Sequence, residues 1–227
     1  MKEKLKNMLP IIDLPLVILA LYMIFLYVRA DATLGESQRI FYFHVSYAWI
    51  GFLSLFCNFV GSIMYLIKKD RFWDILAVSS AEIGIVFCLV VLTTGPIWGK
   101  AAWGAWWTWD PRLVTFLILT FIYVEYMVVR NSIDEETKRG RFSAVIGIVG
   151  FLNVPLTYVA SHLWRTIHPN VIQPGRKWSM DNDMTMTLRV SLIAITILFI
   201  FLLLRRMDLE AMKDRLAELR KKIMKDA

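Results

Sequence analysis

Residues 95–112 read GPIWGKAAWGAWWTWDPR. The stretch separates two long apolar runs, 74–96 and 112–129, and holds five tryptophans within twelve residues. Each run is long enough to cross a bilayer as a helix, which takes about 20 residues. Working outward, the same apolar length recurs at 10–29, 46–67, 142–162 and 185–204. A lipid-exposed backbone must satisfy its own hydrogen bonds, so these segments are predicted to be helices. The expected fold is therefore all-α: a polytopic membrane protein of six transmembrane helices.

Composition agrees. Of the 227 residues, 57% are hydrophobic, with nine Trp, eight Tyr and fourteen Phe. A soluble domain is nearer half apolar. The net charge of +7 does not point to nucleic acid, because the basic residues lie between apolar runs. Eighteen of the 26 Lys and Arg fall in one alternating set of connections: 2–6, 68–71, 130–141 and the segment after Leu204. The positive-inside rule then puts both termini in the cytoplasm. It leaves 30–45, 97–111 and 163–184 as outer connections. A short Ala30-Asp31-Ala32 sequence after the first span looks like a cleavage site. The apolar run before it is long for a signal peptide, so an uncleaved first span is expected.

Two units are expected: a transmembrane domain over 1–204 and a cytoplasmic tail over 205–227. In the tail, Met212, Leu216, Leu219 and Ile223 recur at helical spacing, the mark of an amphipathic helix. It reads either as a membrane-surface extension or as a docking helix for a cytoplasmic partner. Cys57 and Cys88 lie in apolar segments without CxxC or zinc spacing, and are expected as buried thiols. Glu82 and Glu125 lie within spans near the cytoplasmic side and read as helix-packing or partner-binding groups. Asn58 and Asn153 are expected to hydrogen-bond between helices, each worth about 1 kcal/mol.

The candidate site lies on the outer side. Trp98, Trp103, Trp106, Trp107 and Trp109 are separated mostly by Gly and Ala, which lets flat rings approach one another or a flat ligand. This composition suits a shelf for a planar apolar molecule more than an interfacial belt. Asp110 followed by Pro111 is a helix-start signature, with Asp110 as cap. All three histidines, His44, His162 and His168, map to the outer side. Two neutral imidazoles could ligate one haem iron from opposite faces. Arg39, Arg112, Arg165, Arg176 and Arg189 lie near the same connections and are candidate partners for haem propionates. No nucleophile triad or phosphate loop is legible, so binding and delivery are expected rather than enzymatic catalysis.

WGAWWTWDPRLVT, residues 103–115, resembles the "WWD" signature of haem-handling membrane proteins. With six predicted spans and both termini inside, the chain is similar to the haem exporter protein C (cytochrome c maturation protein C) family. The resemblance implies a role in cytochrome c biogenesis at the cell inner membrane: haem b is held on the periplasmic face and transferred to a periplasmic haem chaperone. It also implies ABC-transporter subunits and a small single-span membrane subunit as partners, with apocytochrome c reached only indirectly. The family's first ligand sits in an aromatic-His-Val context, which His44 matches in FYFHVSYAW. Its second lies in a Trp-x-x-(Leu/Ile)-His pattern, which WRTIH matches at His168. His162 stands as the alternative second ligand. A permease subunit for haem or another solute is the alternative function. A membrane b-type cytochrome would place paired histidines mid-span, and this chain has none there.

Overall fold

The apolar runs fold as helices because a lipid-exposed backbone must satisfy its own hydrogen bonds, and they do so even across Pro10, Pro15 and Pro96. The computed structural model describes residues 2–164, 166–168 and 180–226. Seven α-helices carry the described chain: α1 (Lys2–Tyr22), α2 (Arg39–Lys68), α3 (Arg71–Trp103), α4 (Pro111–Asn131), α5 (Glu136–Phe151), α6 (Asn153–Leu163) and α7 (Asn182–Asp226). A π-helical turn, Met23–Tyr27, extends α1, and a short 3-10 turn, Glu36–Gln38, leads into α2. No strand occurs among the described residues, only an isolated bridge between Asp31 and Gly35.

Six helical segments are long and apolar enough to cross a membrane, α5 and α6 together making the fifth. The expected six-span all-α fold is what the molecule has. α5 and α6 meet at a break at Leu152. Pro155 explains it, since it has no N–H for the carbonyl four residues earlier.

The helices alternate in direction, so both ends of the chain come to one end of the bundle. Lys6 on α1 pairs with Asp208 on α7 there at 2.6 Å. We call this the arginine end and the opposite one the tryptophan end. Turns at the arginine end are tightly specified. Lys69 closes α2 in the left-handed conformation at φ 54°, and Asp70 caps α3 by accepting from the Phe72 N–H.

α2 and α3 form the most extensive helix pair. Small residues allow it: Gly61 lies against the α3 backbone at Trp73 and Ala77, and Gly84 lies against Ser54 and Leu55. Such residues let helices approach closely where hydrophobicity gives no drive to associate. Asn58 donates to the Ala77 carbonyl at 2.9 Å, and Asn153 donates to the Thr115 carbonyl at 2.8 Å. Both asparagines thus bond between helices as expected. Cys88 is buried, whereas Cys57 is only half-buried. Between the two ends lies an apolar cluster of Leu55, Ala81, Cys88, Val91, Phe116 and Leu119.

The arginine end is held by ion pairs. Arg130 of α4 and Asp74 of α3 are each only 3% exposed and make a two-pronged pair at 2.7 and 2.8 Å. Arg71 joins the same Asp74 and reaches Asp214 of α7 through two bonds at 2.8 Å. Glu82, read from sequence as a packing group, bonds to Arg206 of α7 at 2.7 Å. Glu125, by contrast, lies on the exposed side of α4.

Three boundaries differ from the sequence expectation. α2 begins at Arg39 rather than 46, so His44 is on a helix and not in a connection. α3 continues through Pro96 to Trp103, so the first part of the tryptophan segment is helical. α7 runs 45 residues without interruption, about 67 Å at the α-helical rise, so residues 205–226 continue the last span.

Candidate functional site

His44 stands in the second turn of α2, facing α3. Its Nδ1 lies 3.0 Å from Thr94 Oγ1. Thr94 sends its own hydroxyl proton to the Val90 carbonyl at 2.8 Å, the usual back-bond of a helical threonine. With that proton committed, Oγ1 accepts and Nδ1 carries the imidazole proton. Nε2 then keeps the lone pair. This is the arrangement by which a neighbouring group fixes the tautomer of a ligating histidine.

Gly95 makes room for the ring. A Cβ there would stand 3.1 Å from His44 Cε1. One turn further along α3 is Trp98, whose ring meets Trp103 edge-on at 5.3 Å between centroids. Trp103 fits over Gly99, where a Cβ would come within 3.2 Å of the indole. The edge of His168 then meets Trp103 at 6.3 Å. Trp98, Trp103 and His168 therefore form one aromatic series, and His44 stands against Gly95, one helical turn before its start.

Helix α3 stops at Gly104, which adopts φ 75° and donates its N–H to the Lys100 carbonyl at 3.1 Å. A left-handed glycine is a common helix terminator. The chain then crosses to α4 through Trp106, Trp107 and Trp109. Trp107 and Trp109 meet edge-on at 6.1 Å. Trp106 and Trp109 are 59% and 80% exposed, high values for so large an apolar ring. The Nε1 atoms of Trp98 and Trp107 and the Thr108 hydroxyl are buried without a hydrogen-bond partner among the described residues. Buried donors of this kind are costly and call for an explanation.

Asp110 caps α4, as its sequence context suggests, by accepting from the Arg112 N–H at 3.0 Å. Its second oxygen accepts from the Ile167 N–H, also at 3.0 Å. One carboxylate therefore starts a helix and ties down the connection that carries His168. The His168 N–H is in turn held by Thr166 Oγ1 at 3.0 Å.

The arginines divide. Arg112 lies on the first turn of α4, within electrostatic range of His44. Arg39 is engaged elsewhere: it pairs with Glu36 and donates to the Ile24 carbonyl at the end of α1. Arg189 is exposed on α7. Arg165 and Arg176 lie outside the described residues, and so does the side chain of His162, although its backbone belongs to α6. Thr94, Gly95 and the second bond of Asp110 were not singled out from sequence. Thr94 sits one helical turn before Trp98, and that spacing was the available signal.

Fold and site together define a six-span membrane protein that presents clustered indoles and an oriented imidazole at one end. The chain belongs to the heme exporter protein C family, whose profile matches residues 1–222. It is 31% identical over 191 residues to heme exporter protein C of Bradyrhizobium diazoefficiens, covering 83% of this chain and 72% of that one. It is 32% identical over 179 residues to heme exporter protein C of Escherichia coli K12, covering 78% and 72%. A putative cytochrome c biosynthesis ccmC-like mitochondrial protein of Marchantia polymorpha is 28% identical over 184 residues, covering 81% and 76%. Family membership gives the chain a haem-handling role in cytochrome c biogenesis.

Proposed function

We propose that this chain holds haem b at the tryptophan end and passes it to a periplasmic haem chaperone. His44 Nε2 and His168 are the axial ligands in this reading, and the indoles from Trp98 to Trp109 form the shelf. The observation that carries it is the Thr94–His44 contact, which leaves an imidazole lone pair available beside a row of indoles. The orphaned donors of Trp98, Trp107 and Thr108 fit a cargo with carboxylates, since propionates would satisfy them. Arg112 is the best-placed described arginine for the same charge. Arg39 already has its partners and is the weaker candidate.

The exposure of Trp106 and Trp109 suits a carrier more than a store, because one edge of the cargo stays reachable. The chain's own residues bind and orient; no step asks them to act as nucleophile. The apolar cluster between the two ends supports delivery on one face over passage through this bundle alone. The tryptophan end is periplasmic in this reading and the termini are cytoplasmic, in the inner membrane, as the basic residues suggest. ABC-transporter subunits and a small single-span subunit complete the assembly.

The test is reconstitution. The protein in lipid nanodiscs is loaded with haem and mixed with purified chaperone, and covalent haem on the chaperone is read on a denaturing gel. Transfer from the native protein and none from His44→Ala is expected. Full transfer from His44→Ala would defeat the ligand assignment.

A further inference from the structure

Beyond the last span, α7 carries an apolar stripe that none of the described residues covers. Leu209, Met212, Leu216, Leu219 and Ile223 succeed one another at intervals of three, four, three and four residues. That is the a and d register of a heptad, held for two full repeats. All five are between 51% and 68% exposed. The opposite face is the one that meets the bundle: Asp214 pairs with Arg71 at 2.8 Å, and Glu210 lies 3.8 Å from the same arginine. The stripe therefore points away from the bundle.

Two features identify what it receives. The first is width. A seam of two apolar positions in seven matches a partner helix, whereas a helix lying in a lipid interface presents a broader apolar face. The helix also continues the last span without a break, so its axis leads away from the bilayer instead of turning along it. The second feature is charge. The positions flanking the seam, e and g, are Lys213, Arg215, Arg220 and Lys222. All four are basic. In a second copy of this chain, parallel or antiparallel, these positions would face one another as like charges, which selects against self-pairing.

We infer that residues 209–223 are the docking seam for an acidic amphipathic helix of another protein. That helix supplies apolar residues at its own a and d positions and Asp or Glu at e and g. The pairing is a short two-stranded coiled coil at the arginine end, specified by charge and seated by the leucines.

The experiment uses the full chain in nanodiscs of zwitterionic lipid. The probe is a labelled helical peptide of three heptads with Leu and Ile at a and d and Glu at e and g, read by fluorescence anisotropy. A control peptide carries Lys at e and g. The acidic peptide is expected to bind at least about tenfold more tightly, given four complementary pairs, and to weaken as salt rises. Leu216→Asp abolishes the binding. Joint reversal of Lys213, Arg215, Arg220 and Lys222 to Glu switches the preference to the basic peptide. Both variants change exposed side chains, and an unaltered unfolding temperature shows that they fold. Equal binding of the two peptides, or binding of neither, overturns the inference. So does a dimer of the unliganded protein that Leu216→Asp dissociates, which would make the partner a second copy. Burial of a fluorophore at position 216 only when anionic lipid is added would make it a membrane surface, and overturns the inference equally.

Discussion

The two ends of the bundle are built on opposite principles. At the arginine end, charges are matched: the buried Arg130–Asp74 pair, with the half-buried Arg71, Asp214, Arg206 and Glu82 and the Lys6–Asp208 pair, ties α1, α3, α4 and α7 together. At the tryptophan end, the Trp98 and Trp107 N–H groups are buried without partners among the described residues, and two large rings face outward. Buried side-chain oxygens without a partner among the described residues also occur towards the arginine end, at Ser62, Ser79, Tyr126 and Ser143, so the contrast between the ends lies in charge pairing at one and exposed aromatic surface at the other. In the proposed function, stability and binding are separated by the length of the bundle, and substitutions at the two ends should fail in different ways.

The largest effect is expected at the arginine end. Arg130→Ala leaves Asp74 buried with a weakened partner set and should cost about 3–5 kcal/mol of stability. Thermal unfolding in detergent checks this, and the folded fraction should keep an unchanged haem spectrum. Gly147→Val tests the packing between. A Cβ there would stand 2.5 Å from Asn58 Oδ1 and 2.8 Å from Ser62 Oγ, so overpacking should cost about 1–3 kcal/mol, seen as a lower unfolding temperature with ligation intact.

Asp110→Ala removes the α4 cap and the Ile167 tether together. Loss of the cap should cost about 1 kcal/mol. The sharper consequence falls on His168: haem spectra should shift toward a mixture of ligation states, which a purely structural cap would not produce. Asp110→Asn, which keeps one acceptor oxygen, should fall between. The smallest effect is expected from Thr94→Val, which keeps the shape and loses one acceptor worth about 1 kcal/mol. Haem should still bind, with a raised high-spin fraction, and Thr94→Ser should restore the native spectrum. Identical spectra for Thr94→Val and the native protein would show that the contact does not orient His44.

Much of this was readable before the structure. The six spans follow from apolar length alone, and the Asp110-Pro111 start of α4 follows from capping chemistry. The interhelical roles of Asn58 and Asn153 follow from placing an amide in an apolar span. Boundaries were less legible for a physical reason. Pro96 resembles a helix breaker, yet it removes one backbone donor only, and α3 carries on to Gly104. At α2, aromatic residues 41–43 have weak helical preference, and burial of Phe41 and Tyr42 against α1 and α7 decides the matter. The Thr94–His44 bond joins residues 50 apart in sequence, and helical spacing within one segment carries no record of it. The buried Asp74–Arg130 pair, 56 residues apart, was hidden in the same way.

In the proposed function, His44 and His168 ligate one haem at the tryptophan end. The most direct measurement of this is the absorption spectrum of the purified protein, loaded with haem, beside His44→Ala, His168→Ala and His162→Ala. A six-coordinate low-spin spectrum is expected, which the first two substitutions disrupt and the third leaves intact. A native low-spin spectrum in His44→Ala would contradict it.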